Sequence, residues 1–379
     1  MEDAQRIVWI DWLRVAACFM VMVVHSTEPF YLGGEGSLIA SRSDLLWAAF
    51  FDSFVRSCVP LFLIASSFLQ FPIHYSAGEF FRRRAVRILV PFAIWSVFYA
   101  FYWGEPCSNL RDLLFNFNYA AGHLWFVYML CGLYLIMPLL SPWAEKVDRK
   151  ELSVYIGIWL FTTLIPLIRD WLDGGALAVT FGPSGLPRQA LYPLWGEASW
   201  NSNGAFYYVS GLIGYMLLGL WFRKFGTGIS RGRSILTGIA GFLAGFAITF
   251  GGFVRRALAS AGGVFPVEGR VDMAIRWETT WQYESLGVAL MTIGVVLMMK
   301  NIRSDGRFYR AVVKPLSEAG YGIYLAHMAA LSAYSRLFIQ LIPCTPLAIM
   351  VTATASFVTV SVVAVMVRRI PVAGKWIMG

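Results

Sequence analysis

Charge is scarce in this chain. Asp, Glu, Lys and Arg make up 14% of its 379 residues, against 58% hydrophobic residues, and the mean hydropathy is +0.61. Soluble domains carry about a quarter charged residues, so soluble, secreted, disordered and fibrous classes are excluded. Cysteine is scarce too: the five present include no C-x-x-C pair, which removes a disulfide framework and most redox or metal readings. Only four histidines occur, none paired at i, i+4 or set beside a Cys or Glu at ligand spacing, so no metal site is expected. There is no Walker pattern and no G-x-G-x-x-G after a strand, which argues against ATP-driven or dinucleotide chemistry. Internal repeats and low-complexity linkers are also missing, so the chain reads as one integral domain over residues 1–379.

What is present is a succession of long apolar runs. A bilayer core needs about 20 helical residues. Ten segments meet or approach that length: Trp9–Phe30, Leu45–Phe71, Ile88–Trp103, Leu124–Trp143, Val154–Leu172, Ala205–Phe222, Ile235–Val254, Tyr283–Met299, Tyr321–Ile342 and Leu347–Val367. The runs are continuous rather than alternating, which favours helices over a barrel. The expected fold is all-α and polytopic, with about ten transmembrane helices. The first run carries Asp11 and Arg14 and has no small-residue cleavage site, so it reads as a retained span.

The formal charge of +9 has a local explanation. With a cytoplasmic N-terminus, 20 of the 31 Lys and Arg residues fall on the inner side, 7 in outer loops and 4 within spans. This positive-inside bias puts both termini in the cytoplasm and makes a nucleic-acid partner unnecessary. The outer loop from Arg255 to Trp281 is the exception, with four positive charges.

Ionisable side chains within spans are costly and mark candidate sites. In the first span Asp11, Arg14, Cys18, His25 and Glu28 recur at spacings that keep them on one helical stripe. Arg14 and His25, eleven residues apart, point the same way and stand about 16 Å apart along the axis. A structural set of ion pairs, with Asp11 and Arg14 pairing locally, is the alternative. In the second span Asp52 and Arg56 stand at i, i+4, close enough to pair. Pro60 just beyond bends the helix and frees a carbonyl. His25 sits among polar neighbours and suits a proton acceptor near neutral pH, whereas His74 reads as ordinary surface. The cluster Arg82-Arg83-Arg84 with Arg87 either anchors the inner face or binds phosphates of a nucleotide-like donor.

These residues resemble a known family. Trp9-Ile10-Asp11-Trp12-Leu13-Arg14, followed after ten residues by His25, resembles the start of the membrane-bound acyltransferase 3 family. Other marks follow in order: Arg56 with Val59-Pro60-Leu61-Phe62 and Ser66, Arg84-x-x-Arg87, and His123-Leu124-Trp125-Phe126. Phe206-Tyr207-Tyr208 with Gly211, and Ser317 with Gly322-Ile323-Tyr324 and His327, complete the set. The similarity spans essentially the whole chain. Two departures stand out: Ala65-Ser66-Ser67-Phe68 replaces the usual Ser-Gly turn, and Tyr321 stands where a small residue is common.

The resemblance implies acyl transfer from cytoplasmic acyl-CoA, acetyl-CoA in the simplest case, to a hydroxyl of a surface or lipid-linked polysaccharide at the bacterial inner membrane. Acyl-CoA is then a co-substrate, and no permanently bound cofactor is expected. Arg14, His25 and Glu28 are the expected catalytic set, with His25 as general base or brief acyl carrier. Arg84, Arg87 and His327 are expected at the donor, His327 in the inner half of the ninth span. Arg56, His123, Trp125 and Tyr324 are expected at the acceptor or along a cavity. A glycan or metabolite transporter or flippase is the rival reading, since intramembrane charges and a kinked helix fit it as well. Oligomeric state and any pairing of Cys107 with Cys344 stay open at this level.

Overall fold

A computed structural model describes residues 6–32, 38–115, 119–172, 194–196, 201, 203–269 and 271–379. Sixteen α-helices carry nearly all of the regular structure there. In chain order they are α1 Val8–Thr27, α2 Arg42–Val55, α3 Cys58–Gln70, α4 Ala77–Arg84, α5 Val90–Tyr102, α6 Pro106–Phe115, α7 Trp125–Lys146 and α8 Arg149–Thr162. They continue with α9 Ile165–Leu172, α10 Ile213–Phe225, α11 Arg231–Ser260, α12 Val271–Trp277, α13 Leu286–Met299, α14 Lys314–Leu341, α15 Thr345–Arg368 and α16 Ala373–Met378. The strands β1 (Leu38–Ile39) and β2 (Val267–Glu268) form one short antiparallel pair.

Seven helices are long and apolar enough to cross a membrane, or eight if the pair Met273–Trp281 and Leu286–Met299, bent by 45°, forms one span. The protein is therefore a polytopic membrane protein. The difference from the ten expected runs lies in two helices. α10 has only 13 residues, because its first half is a separate 3₁₀ turn, Gly204–Val209. α14 has 28 residues but carries Ser317, Glu318, Tyr321, Tyr324 and His327 along its first half and is too polar to count. Of the basic residues assigned to outer loops, Arg188 and Arg270 lie outside the described residues.

The helix ends follow from local chemistry. Ser41, Ser76 and Asp148 cap α2, α4 and α8 by accepting from the backbone N–H of Asp44, Glu79 and Glu151, each an acid three residues on. Large apolar side chains such as Phe54, Phe101, Leu139 and Leu236 stand exposed on the outside, as a lipid solvent allows. α11 and α13 pack backbone to backbone, because a Cβ at Gly245 would collide with the Gly287 carbonyl. Both departures from the family pattern make contacts of their own. Ser67 Oγ donates to the Met216 carbonyl at 2.6 Å, joining α3 to α10, and Tyr321 Oη donates to the Ile88 carbonyl at 2.9 Å.

The pairing of α1 with α14 positions the site. Arg14 meets Ser317, Cys18 meets the Gly320 carbonyl and the His25 ring meets His327. The offset between partners stays at 302 or 303 residues, so the two helices run parallel along one seam, with polar contacts at Arg14, Cys18 and His25 and the apolar Val21 and Met22 buried between the last two. It begins at Asp11 and ends at His25.

Candidate active site

At its Asp11 end the seam is tightly bonded. Asp11 is 5% exposed and accepts from Arg6 Nε at 2.5 Å, Tyr309 Oη at 2.6 Å and Ser317 Oγ at 2.6 Å. Arg6 also donates to Glu318 Oε1 at 2.6 Å. Burial works against the Arg6 charge, but the hydrogen bonds and charges of Asp11 and Glu318 outweigh it and raise its pKa above the ordinary arginine value. Arg6 thus takes the carboxylate that the alternative reading, a local Asp11–Arg14 pair, gave to Arg14. Arg14 keeps one long hydrogen bond, Nη1 to Ser317 Oγ at 3.4 Å, and leaves most of its donors unused by Asp11. Its charge, with those of Arg6 and Arg87, acts on Arg368, so four guanidiniums gather at this end with Glu318 as a counter-ion.

Arg84 and Arg87 sit in different surroundings. A π-helical turn, Ala85–Leu89, begins right after Arg84. Arg84 is half-buried over the rings of Phe80 at 5.5 Å and Tyr134 at 5.7 Å. Arg87 is exposed, and its charge acts on Arg368.

The other end is built around a helix break. Pro60 has no N–H for the carbonyl of Arg56, four residues earlier, so α2 stops at Val55 and α3 starts at Cys58. Arg56 is left in the turn between them, 8% exposed. Its guanidinium pairs with Asp52 Oδ1 at 3.0 Å and Glu278 Oε2 at 3.6 Å, donates to the Trp281 carbonyl at 3.1 Å, and lies 4.9 Å over the Trp281 ring. Thr27, the last residue of α1, donates to Asp52 Oδ2 at 3.0 Å and ties this group to the seam.

Past Thr27 the chain tightens into a 3₁₀ turn, Glu28-Pro29-Phe30, which folds Glu28 back so that Oε1 lies 2.7 Å from His25 Nδ1. The His25 ring lies 5.1 Å from His327, which lies 5.0 Å from His123. Tyr324 Oη donates to the His123 carbonyl at 2.7 Å. Trp125 stacks on Tyr283 at 5.6 Å, and Tyr283 lies under Arg56 at 5.5 Å. Three histidines, one arginine, three carboxylates and four aromatic rings therefore meet at one place, a group fit for proton transfer beside a polar ligand. Among the described residues, no group of His, Cys, Asp and Glu has the arrangement to hold a metal ion.

The sequence model of an acyltransferase domain, acyltransferase 3, matches residues 7–366. The chain belongs to the acyltransferase 3 family. It is an enzyme acting with acyl groups. No curated protein and no solved structure matches it.

In this acyltransferase the expected residues separate into two sets. His25, Glu28, Arg56, His123, Trp125 and Tyr324 converge at one end of the seam, and Arg14 and Arg87 stand at the other. His327, expected at the donor, lies beside His25 and His123. Tyr321 marks the level of Ile88, next to Arg87, and His327 is six residues or about 9 Å farther along α14. His74, exposed and 3.4 Å from Glu145, is ordinary surface. The sequence reading passed over Glu278, Trp281 and Tyr283. Glu278 sits at the end of the loop whose excess of positive charge had drawn notice, but a single carboxylate in a Thr-Thr-Trp context carries no pattern of its own. All five cysteines are free thiols, Cys107 and Cys344 included.

Proposed function

We propose that this acyltransferase moves an acyl group, acetyl in the simplest case, from cytoplasmic acyl-CoA to a hydroxyl of a surface or lipid-linked polysaccharide. The observation that carries the proposal is the seam itself. It joins a group of arginines suited to phosphates to a group of histidines suited to proton transfer, over the eleven residues or about 16 Å from Arg14 to His25. An extended thioester arm anchored by its phosphates at Arg14 and Arg87 reaches the histidine end along that path. The positive-inside count supports an arginine end in the cytoplasm and a histidine end toward the outer face, in the bacterial inner membrane of this reading. Both termini then lie inside.

His25 acts as general base on the acceptor hydroxyl. Its Nδ1 is held by Glu28 at 2.7 Å, which orients the ring and stabilises the imidazolium that forms. Oxygen then attacks the acyl carbon and the sulfur leaves. Arg56, with Trp125 and Tyr283 close by, borders the acceptor side; the carboxylates of Asp52 and Glu278 offer acceptors for further sugar hydroxyls. Within the family, the His-Leu-Trp-Phe and Gly-Ile-Tyr-x-x-His elements most resemble those of the O-acetyltransferase that modifies enterobacterial common antigen, which favours a polysaccharide acceptor. The partners are acyl-CoA, the glycan and membrane lipid, with no nucleic acid and no resident cofactor. Mass spectrometry of cell-surface glycans from a deletion strain complemented with wild type or His25→Ala tests the reading. An acyl increment with wild type alone supports it, whereas identical glycans in all strains contradict it.

A further inference from the structure

His327 is fully buried at 0% exposure, yet its Nε2 has no hydrogen-bond partner. The buried Nε2 of His123, in the neighbouring ring, has none either. Buried polar atoms without partners are uncommon and ask for a reason. The other nitrogen of His327 supplies one. Nδ1 faces the carbonyl oxygen of Tyr324, one turn back on α14. A carbonyl only accepts, so Nδ1 carries the ring proton and donates it, and Nε2 of the neutral ring presents a bare lone pair. That lone pair lies in the ring cluster with His25, whose own Nδ1 is committed to Glu28.

We propose that His327 is a second proton-transfer residue of the acyl transfer, its Nε2 taking the proton from His25 and delivering it to the coenzyme A sulfur. This rests on the acyl-CoA reading above. The step balances. The acceptor O–H gives its proton to His25 while oxygen bonds to the acyl carbon, and the C–S bond breaks with its electron pair going to sulfur. The two rings share no direct hydrogen bond, so the proton passes from the His25 imidazolium through a bridging hydroxyl or water to His327 Nε2 and on to the thiolate, which leaves as the thiol. Both rings end neutral. Tyr324 is the fixed point of this arrangement: its carbonyl sets the tautomer of His327, and its hydroxyl holds the His123 backbone.

The test compares wild type with His327→Asn in bilayer vesicles. Acetyl-CoA serves as donor and the lipid-linked glycan fraction of a strain lacking the protein as acceptor. Asparagine keeps an N–H for the Tyr324 carbonyl but has no second ring nitrogen, so a structural role survives and a proton-transfer role does not. The expected result is a kcat lowered about 100-fold, within the usual range for a lost acid or base, at unchanged KM for acetyl-CoA. A kcat near wild type overturns the proposal, and a raised KM at unchanged kcat returns His327 to donor binding. Wild type inactive toward acetyl-CoA contradicts the acyl-transfer reading itself and this proposal with it. Should His327→Asn fail to accumulate, ¹⁵N spectra of the wild-type histidines decide the matter. A protonated Nδ1 and bare Nε2 on His327 are expected, and a protonated Nε2 on the neutral ring overturns the proposal.

Discussion

The two ends of α1 carry similar residue types under opposite conditions. The Asp11 carboxylate itself is saturated: it receives donors from Arg6, Tyr309 and Ser317, and Arg6 has Glu318 as well. Around His25 the polar groups outnumber their mutual contacts, and two buried imidazole nitrogens stay unpartnered. A saturated cluster holds helices in register, and an unsaturated one keeps capacity for a ligand. Arg14 marks the boundary. It stands one turn from the saturated carboxylate, yet a single 3.4 Å bond ties it down.

The largest expected effect falls at the unsaturated end. His25→Ala should lower acyl transfer by about 100-fold or more while the protein inserts at normal abundance, read as acyl-CoA cleavage per mole of membrane protein. Next comes the seam between the ends. A Cβ at Gly320 would lie 3.7 Å from Cys18 Sγ and 3.9 Å from Arg14 Nη2, an ordinary contact. Gly320→Ala should therefore act nearly as wild type and Gly320→Leu should lose about tenfold or more in rate, since a branched chain fills the space beside Arg14. Equal rates for the two would detach the seam from the reaction. At the arginine end, Arg87→Ala should raise the acyl-CoA concentration for half-maximal rate about tenfold, the equivalent of about 1.4 kcal/mol and roughly one charge-assisted contact. Arg84→Ala should raise it less, because Arg84 is engaged with Phe80 and Tyr134. Equal effects would contradict the difference in surroundings between the two arginines. The smallest effect belongs to the saturated cluster. Tyr309→Phe removes one of the Asp11 donors and should cost about 1 kcal/mol in thermal unfolding while leaving kcat and KM unchanged.

Much of this was legible in the sequence. The apolar runs announced the membrane helices, and the spacing of Asp11, Arg14, Cys18 and His25 announced a single face, which is the face α14 covers. Pro60 announced the break that leaves Arg56 in a buried turn. What periodicity lacks is a partner. Nothing in the first span said that Arg6 would take Asp11 and release Arg14. His327 was read by its depth in a span whose start was set at Tyr321, whereas α14 begins at Lys314 and lifts His327 to the level of His25. Arg84 and Arg87 were grouped through the R-x-x-R resemblance, and a local π turn leaves no mark in composition. Glu278 joined Arg56 across more than two hundred residues, a closure fixed only by tertiary packing.

The central claim is a division of labour along one seam, donor recognition at Arg14 and Arg87 and proton transfer at His25. It is tested most directly by measuring kcat and KM for acetyl-CoA in bilayer-reconstituted wild type, Arg87→Ala and His25→Ala. The account predicts that Arg87→Ala raises KM with little change in kcat and that His25→Ala lowers kcat with little change in KM. The reverse pattern, or both variants moving the same parameter, would contradict it.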